Sequence, residues 1–203
     1  MVHIYQSKKR VCIFCIPFSI FLQVGFYRKT NHFITNFLST SLRFDMLNLI
    51  STPVVDIAKN RLDKALELGA SVAINGLEEN VIEKILELTG GDGADLFIET
   101  AGTEITMRQC IQAIKKGGTI VLVGYSKTDE ISVPVNMALD KELTFKTIFR
   151  YRHIYPMAID AVASGKLNLK GIVTHYFDFD DLQNAMDQSI ADKQNIVKSV
   201  IKI

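Results

Sequence analysis

From residue 54 onward, short solid apolar runs alternate with stretches of helical period. Residues 54–57 read as the end of an apolar strand. Residues 60–68 carry leucines and alanines at helical spacing before Gly69, which suits the left-handed position just past a helix. A short strand over 72–74 leads into a helix over 78–88, whose Val81, Ile82, Ile85, Leu86 and Leu88 form one apolar stripe with acids opposite. The glycine-rich turn at 90–93 precedes a mostly apolar strand over 94–99. A helix is predicted over 103–115, stopped by Gly117 and Gly118, followed by an uninterrupted apolar strand over 119–124 of the kind buried on both faces of a parallel sheet. Further on, a helix begins near Tyr155, another spans 180–190 with Leu182, Ala185, Met186 and Ser189 on one face, and 198–203 alternates like a final strand. Strands at this spacing, each followed by a helix, predict an α/β fold with a doubly wound parallel sheet, in which ligands sit beyond the carboxyl ends of the strands.

The first 53 residues have a different texture. Lys8-Lys9-Arg10 precedes an apolar run over 11–27, broken only by Pro17, Ser19, Gln23 and Gly25. That shape suits a signal peptide or short membrane anchor, but no small-residue cleavage site follows and the run is short for a span. Cys12-x-x-Cys15 offers a second reading, a redox or zinc pair, without a second pair or histidine cluster beside it. The favoured reading is a segment foreign to the fold, from a truncated or wrongly joined gene product. Composition supports the break: residues 1–53 hold six basic groups and one acid, the remainder seventeen and twenty-one. The first alanine is Ala58, and seven of the twelve phenylalanines precede residue 45. A net charge of +1 gives no reason to expect nucleic acid. Three cysteines are too few for a disulfide framework, so the cytoplasm is the expected compartment, with an anchor through 11–27 as the minor alternative.

Candidate chemistry lies at the strand ends. Asp56 closes its strand where a carboxylate can accept hydrogen bonds from ribose hydroxyls, and Arg61 stands five residues on, near the first helical turn. An acid and an arginine there also serve as ordinary capping and solvation residues. A glycine-rich phosphate turn belongs about 20 residues before the ribose acid, yet residues 26–68 contain no glycine. Without glycine the backbone cannot approach a pyrophosphate closely, so dinucleotide affinity should suffer. Gly102 and Gly124 suit strand termination as well as ligand contact. His175 follows an apolar stretch alone and reads as structural rather than as a metal ligand.

The runs 55–70, 90–95, 99–102 and 117–124 together resemble the medium-chain zinc alcohol dehydrogenases. Phe149-Arg150-Tyr151 narrows the likeness to the sorbitol, xylitol and iditol dehydrogenase branch. The resemblance covers 54–203. It implies an NAD-binding domain over 54–165, a segment over 166–203 returning to the catalytic domain, and an atypical segment over 1–53. The implied fold is a partial Rossmann sheet lacking its first strand and glycine-rich loop; Pro53 suggests that the join lies close by. By resemblance, Asp56 and Arg61 match adenosine-ribose contacts and Thr100, Ala101 and Gly102 pass the adenine. Val123, Gly124 and Tyr125 meet the nicotinamide, flanked by Ile148 and Phe149, while Arg150 and Tyr151 match contacts to substrate hydroxyls. The family oxidises a polyol or secondary alcohol with NAD, using a zinc ion that polarises the alcohol oxygen. No zinc ligand and no catalytic residue of that kind is recognised in this chain, so the expectation is a dehydrogenase fragment not competent alone. The alternative is an inactive partner of a full-length homologue, since 141–149 resembles the strand through which such enzymes extend their sheets across a dimer. The tail would expose apolar surface without a partner, favouring homo-oligomers.

Overall fold

The computed structural model describes residues 11–14, 52–149, 155–165, 169–192 and 195–202. Six strands make one parallel sheet in the order β3-β2-β1-β4-β5-β6. These are β1 (Val11–Phe14), β2 (Pro53–Asp56), β3 (Val72–Asn75), β4 (Ala94–Glu99), β5 (Ile114–Leu122) and β6 (Thr144–Thr147). Between them run helices α1 (Lys59–Glu67), α2 (Val81–Leu88), α3 (Glu104–Ala113) and α4 (Val135–Asp140). The order reverses direction between β1 and β4, which is the topological switch point of a doubly wound nucleotide-binding sheet.

Strand β1 overturns the expected absence of a first strand, and with it the reading of 1–53 as wholly foreign to the fold. Val11–Phe14 pairs in parallel with β2 (Ile13 opposite Val54) and with β4 (Cys12 opposite Phe97, Phe14 opposite Glu99). Four consecutive apolar residues are what a central parallel strand requires, because both of its faces are covered. Cys12 is fully buried among Val55, Phe97 and Ile120 rather than presented for redox or metal chemistry. Its partner in the spacing motif, Cys15, and the remainder of the apolar run lie outside the described residues. Pro53 causes no break: it stands at the first position of β2, opposite Val72, where a missing N–H is tolerated.

Side chains alternate between two cores, one on each face. Val55, Ile74, Phe97 and Ile120 meet Val81 and Ile85 of α2 and Met107, Cys110 and Ile111 of α3. On the opposite face Val54, Leu96, Ile98 and Val121 meet Leu62 of α1. Each fully buried side chain of this size contributes roughly 1.5–3 kcal/mol. Asn80 caps α2, its side chain accepting from the Glu83 amide at 3.4 Å, and Thr103 caps α3 by accepting from Thr106 at 3.2 Å.

Helix α3 does not run to residue 115. It stops at Ala113 and passes directly into β5, which carries a register irregularity opposite β4 between Ile114 and Thr119. A lysine from downstream covers the helix end. The Lys141 ammonium donates to the carbonyls of Ile111, Gln112 and Ile114 at 3.0, 2.7 and 2.8 Å, taking up oxygens that the end of a helix leaves unpaired. Lys115 meanwhile pairs with Asp95.

Past α5 (Tyr155–Ala163), a separate parallel pair forms from β7 (His175–Asp178) and β8 (Ser199–Lys202), connected through α6 (Leu182–Ala191). Ala185 is the buried member of α6; Leu182 and Met186, expected on the same face, are exposed together with Ile190. No helix among the described residues is long and apolar enough to cross a membrane.

Candidate functional site

All six strands of the main sheet are parallel, so their carboxyl ends share one edge. Along that edge the order is Asp56 on β2, Phe14 on β1, Glu99 on β4, the 122–125 turn after β5, and Ile148 and Phe149 after β6. With neighbouring strands about 4.8 Å apart, Asp56 and the turn after β5 lie three strand steps, about 14 Å, apart. The sequence-predicted residues from Asp56 to Phe149 therefore line one continuous edge. Arg150 and Tyr151, predicted to meet substrate hydroxyls, lie outside the described residues.

Asp56 is buried, and its carboxylate is heavily engaged. Oδ1 accepts from the amides of Ile57 and Ala58 at 2.7 and 2.8 Å, and Oδ2 accepts from Arg61 at 3.0 Å. These bonds fix the turn just before α1, whose N-cap residue, Ala58, has no side-chain acceptor of its own. Burial raises the Asp56 pKa, opposed by the Ala58 amide, the Arg61 charge and the Ile57 amide. The pair therefore fixes the turn that leads from β2 into α1, with the Arg61 guanidinium beside a buried carboxylate.

Glu99 was not singled out from sequence, yet its side chain and its carbonyl both accept hydrogen bonds from the turns of this edge. Its side chain is fully buried. Oε1 accepts from the Ala101 amide at 2.8 Å, the Gly102 amide at 2.9 Å and the Thr106 hydroxyl at 2.8 Å; Oε2 accepts from Gly102 at 3.2 Å. Its backbone carbonyl accepts from Val123 at 2.8 Å and Gly124 at 3.1 Å. Burial raises its pKa, opposed by the Thr106 hydroxyl and the two amides. The available signal was an acid closing an otherwise apolar strand, the same pattern that marked Asp56.

The two strand-end glycines touch each other's backbone. A Cβ on Gly124 would stand 2.2 Å from the Gly102 nitrogen, and one on Gly102, where φ is +62°, would stand 2.5 Å from the Tyr125 carbonyl oxygen. Only glycine fits at both positions. Thr100 lies in the same turn. Further along, Val123 and Ile148 pack on the core beneath the edge, and Ile148 donates to Leu122 at 2.9 Å. Above them Tyr125 and Phe149 are exposed, with ring centroids 6.3 Å apart. His175 lies in the separate β7–β8 unit, its Nδ1 2.9 Å from the Thr174 hydroxyl and its ring stacked near Phe177. Among the described residues no group of three His, Cys, Asp or Glu side chains is placed to hold a metal ion.

A model of the zinc-binding dehydrogenase family matches residues 46–164. A zinc-type alcohol dehydrogenase-like protein of Escherichia coli is 40% identical over 151 residues, which is 74% of this chain and 43% of that protein. Sorbitol dehydrogenase of Bacillus subtilis is 31% identical over 148 residues, 73% of this chain and 42% of the enzyme. D-xylulose reductase of Saccharomyces cerevisiae is 35% identical over 156 residues, 73% and 43%. The chain thus spans less than half the length of these relatives. Among solved structures, an E. coli oxidoreductase of unknown specificity superposes with a TM-score of 0.76 at 32% identity, covering 96% of this chain and 51% of that one. An E. coli alcohol dehydrogenase complexed with NADH gives 0.77 at 22% identity, covering 97% and 53%, a likeness of fold alone.

Proposed function

This chain belongs to the zinc-binding dehydrogenase family, and from that premise we propose that its strand-end edge receives NAD, in the service of polyol or secondary-alcohol oxidation. The observation that carries the reading is the juxtaposition of an acid–arginine pair after β2 with an exposed aromatic pair after β5 and β6, on either side of the switch point. Arg61 and the Asp56 carboxylate that it pairs with suit the adenosine ribose. The turn at Thr100, Ala101 and Gly102 passes the adenine. Val123, Gly124 and Tyr125, with Ile148 and Phe149, flank the nicotinamide, and Arg150 and Tyr151 offer donors to substrate hydroxyls. NAD, when bound, supplies the hydride acceptor; this chain's own part is to bind and orient it.

The acid sits where it disfavours a 2′-phosphate, which selects NAD over its phosphorylated form. Affinity is expected to be weak. Phe14 ends β1, and the residues after it run Cys-Ile-Pro-Phe-Ser-Ile, with no glycine before Gly25 to let backbone amides close on a pyrophosphate.

A second reading, a partner subunit for a full-length dehydrogenase, is favoured by β6. This strand ends the sheet, all four of its residues are exposed, and no strand lies beyond it among the described residues. The buried thiols of Cys12 and Cys110 suit a reducing compartment such as the cytoplasm.

Calorimetric titration of the purified chain with NADH tests the first reading, with Asp56→Ala and Asp56→Asn, which keeps an acceptor oxygen for the Ile57 and Ala58 amides, as controls. Saturable binding weakened at least ten-fold in Asp56→Ala supports it. A folded wild-type chain that takes up no NADH would leave the partner reading, to be tested by sedimentation with an intact homologue.

A further inference from the structure

We propose that Glu99 is a positioning residue of this edge: its buried carboxylate and its carbonyl together hold the turns after β4 and β5 in the shape a nucleotide would meet. The assignment rests on the NAD reading above. One residue receives both turns, the side chain taking the amides of Ala101 and Gly102 and the backbone oxygen taking those of Val123 and Gly124. The Thr106 hydroxyl, at 2.8 Å, ties the same carboxylate to the first turn of α3. Between these anchors Gly102 and Gly124 approach so closely that neither tolerates a Cβ, so the two turns cannot shift independently.

The carboxylate is fully buried, so it does not itself touch a ligand. It acts by fixing where backbone groups of Ala101, Gly102 and Gly124 stand. A carboxylate is suited to this because it accepts from several donors at once without offering a hydrogen of its own, and charge-assisted bonds to amides are short and strong. An anion in such a place persists only because donors converge on it from two elements. Without them its burial would be a pure cost, which is the physical reason to regard the cluster as a built feature of the edge rather than an incidental acid.

The test compares wild type, Glu99→Gln, Glu99→Ala and Thr106→Val by NADH calorimetry, alongside hydrogen exchange of the Ala101 and Gly102 amides. Glutamine keeps an acceptor oxygen for the two amides, so Glu99→Gln should bind within about three-fold of wild type. Glu99→Ala should bind at least ten-fold more weakly, with both amides exchanging faster while the chain still unfolds cooperatively. Thr106→Val, which removes one donor and keeps the shape, should weaken binding about three-fold, and it carries the test if the alanine variant does not fold. Wild-type affinity in Glu99→Ala, or in Thr106→Val where that variant stands in, overturns the assignment while leaving the NAD reading intact. Glu99→Gln as damaging as Glu99→Ala overturns the claim that acceptor geometry is what matters. A wild-type chain that binds no NADH overturns both.

Discussion

On the β2 side of the strand-end edge, the Asp56 carboxylate is engaged by Arg61 and by the amides of Ile57 and Ala58 just before α1. On the β5 and β6 side, Tyr125 and Phe149 present exposed rings 6.3 Å apart. The difference separates two kinds of site construction. The polar side is made by the same hydrogen bonds that fold the chain, so altering it disturbs fold and ligand together. The aromatic side stands on a finished scaffold and is free to change with ligand binding alone. Between them lie β1 and Glu99, and the strongest way to break the comparison is to cut there.

Ile13→Pro should have the largest effect. Ile13 lies between Val54 of β2 and Ile98 of β4, and those two strands have no pairing with each other except through β1. Proline removes a ladder donor from a central strand, where it is not accommodated. Each buried partner left unpaired costs about 1–3 kcal/mol, a large share of the stability of a domain this size. We expect the cooperative thermal transition to be lost in circular dichroism. A melting curve like that of wild type would place residues 11–14 outside the sheet.

Gly124→Ala comes next, because its methyl would meet backbone atoms at 2.2–2.8 Å, where no side-chain rotation gives relief. A loss of about 3 kcal/mol is expected from urea unfolding. Gly117→Ala, with nothing near its added carbon, should cost only about 1 kcal/mol, from its φ of +70°. Equal costs at the two positions would show that the close approach of the strand-end turns is not maintained in solution.

Acid titration sharpens the contrast further. Asp56 and Glu99 both have raised pKa values, chiefly from burial, so the folded state holds their protons more tightly than the unfolded chain does. The stability this contributes is fully present below the ordinary carboxylate range and is lost as pH rises through the raised values. The groups facing them are Arg61 for Asp56 and, for Glu99, the thiol of Cys110, itself pushed well up by burial and by Cys12 and Glu99. Asp56→Asn combined with Glu99→Gln should therefore flatten the fall in melting temperature between acid and neutral pH. A slope identical to that of wild type would mean that these carboxylates are not buried as described.

Much of the sheet was legible because parallel strands covered on both faces are written as unbroken apolar runs, as 94–99 and 119–124 are. Strand β1 obeys the same rule and was nevertheless misread. Val-Cys-Ile-Phe is too short to show a period, and Lys8-Lys9-Arg10 ahead of a longer apolar run imitates a targeting segment. The end of α3 was misplaced for another reason: its carbonyls are taken by Lys141, which stands 27 or more residues downstream and leaves no local mark. Asp56 was found by its place at a strand end. Glu99 shared that pattern, but its hydrogen bonds to Ala101, Gly102 and Thr106 depend on a turn that folds back over the strand, which spacing alone does not reveal.

Tyr125→Ala should give the smallest effect on the fold and so the cleanest separation of the two sides. The ring is exposed and its loss leaves no cavity, so stability should change by no more than about 0.5 kcal/mol. An aromatic face against a nicotinamide contributes about 1 kcal/mol beyond area, which predicts a roughly five-fold weaker NADH complex. Asp56→Ala should lower stability and affinity together, whereas Tyr125→Ala should lower affinity alone. If the tyrosine variant also loses several kcal/mol, the aromatic end belongs to the folded framework as much as the acid does. If it binds NADH as wild type does, the ligand does not extend past β4, and the working part of the edge is confined to Asp56, Arg61 and the Glu99 turn.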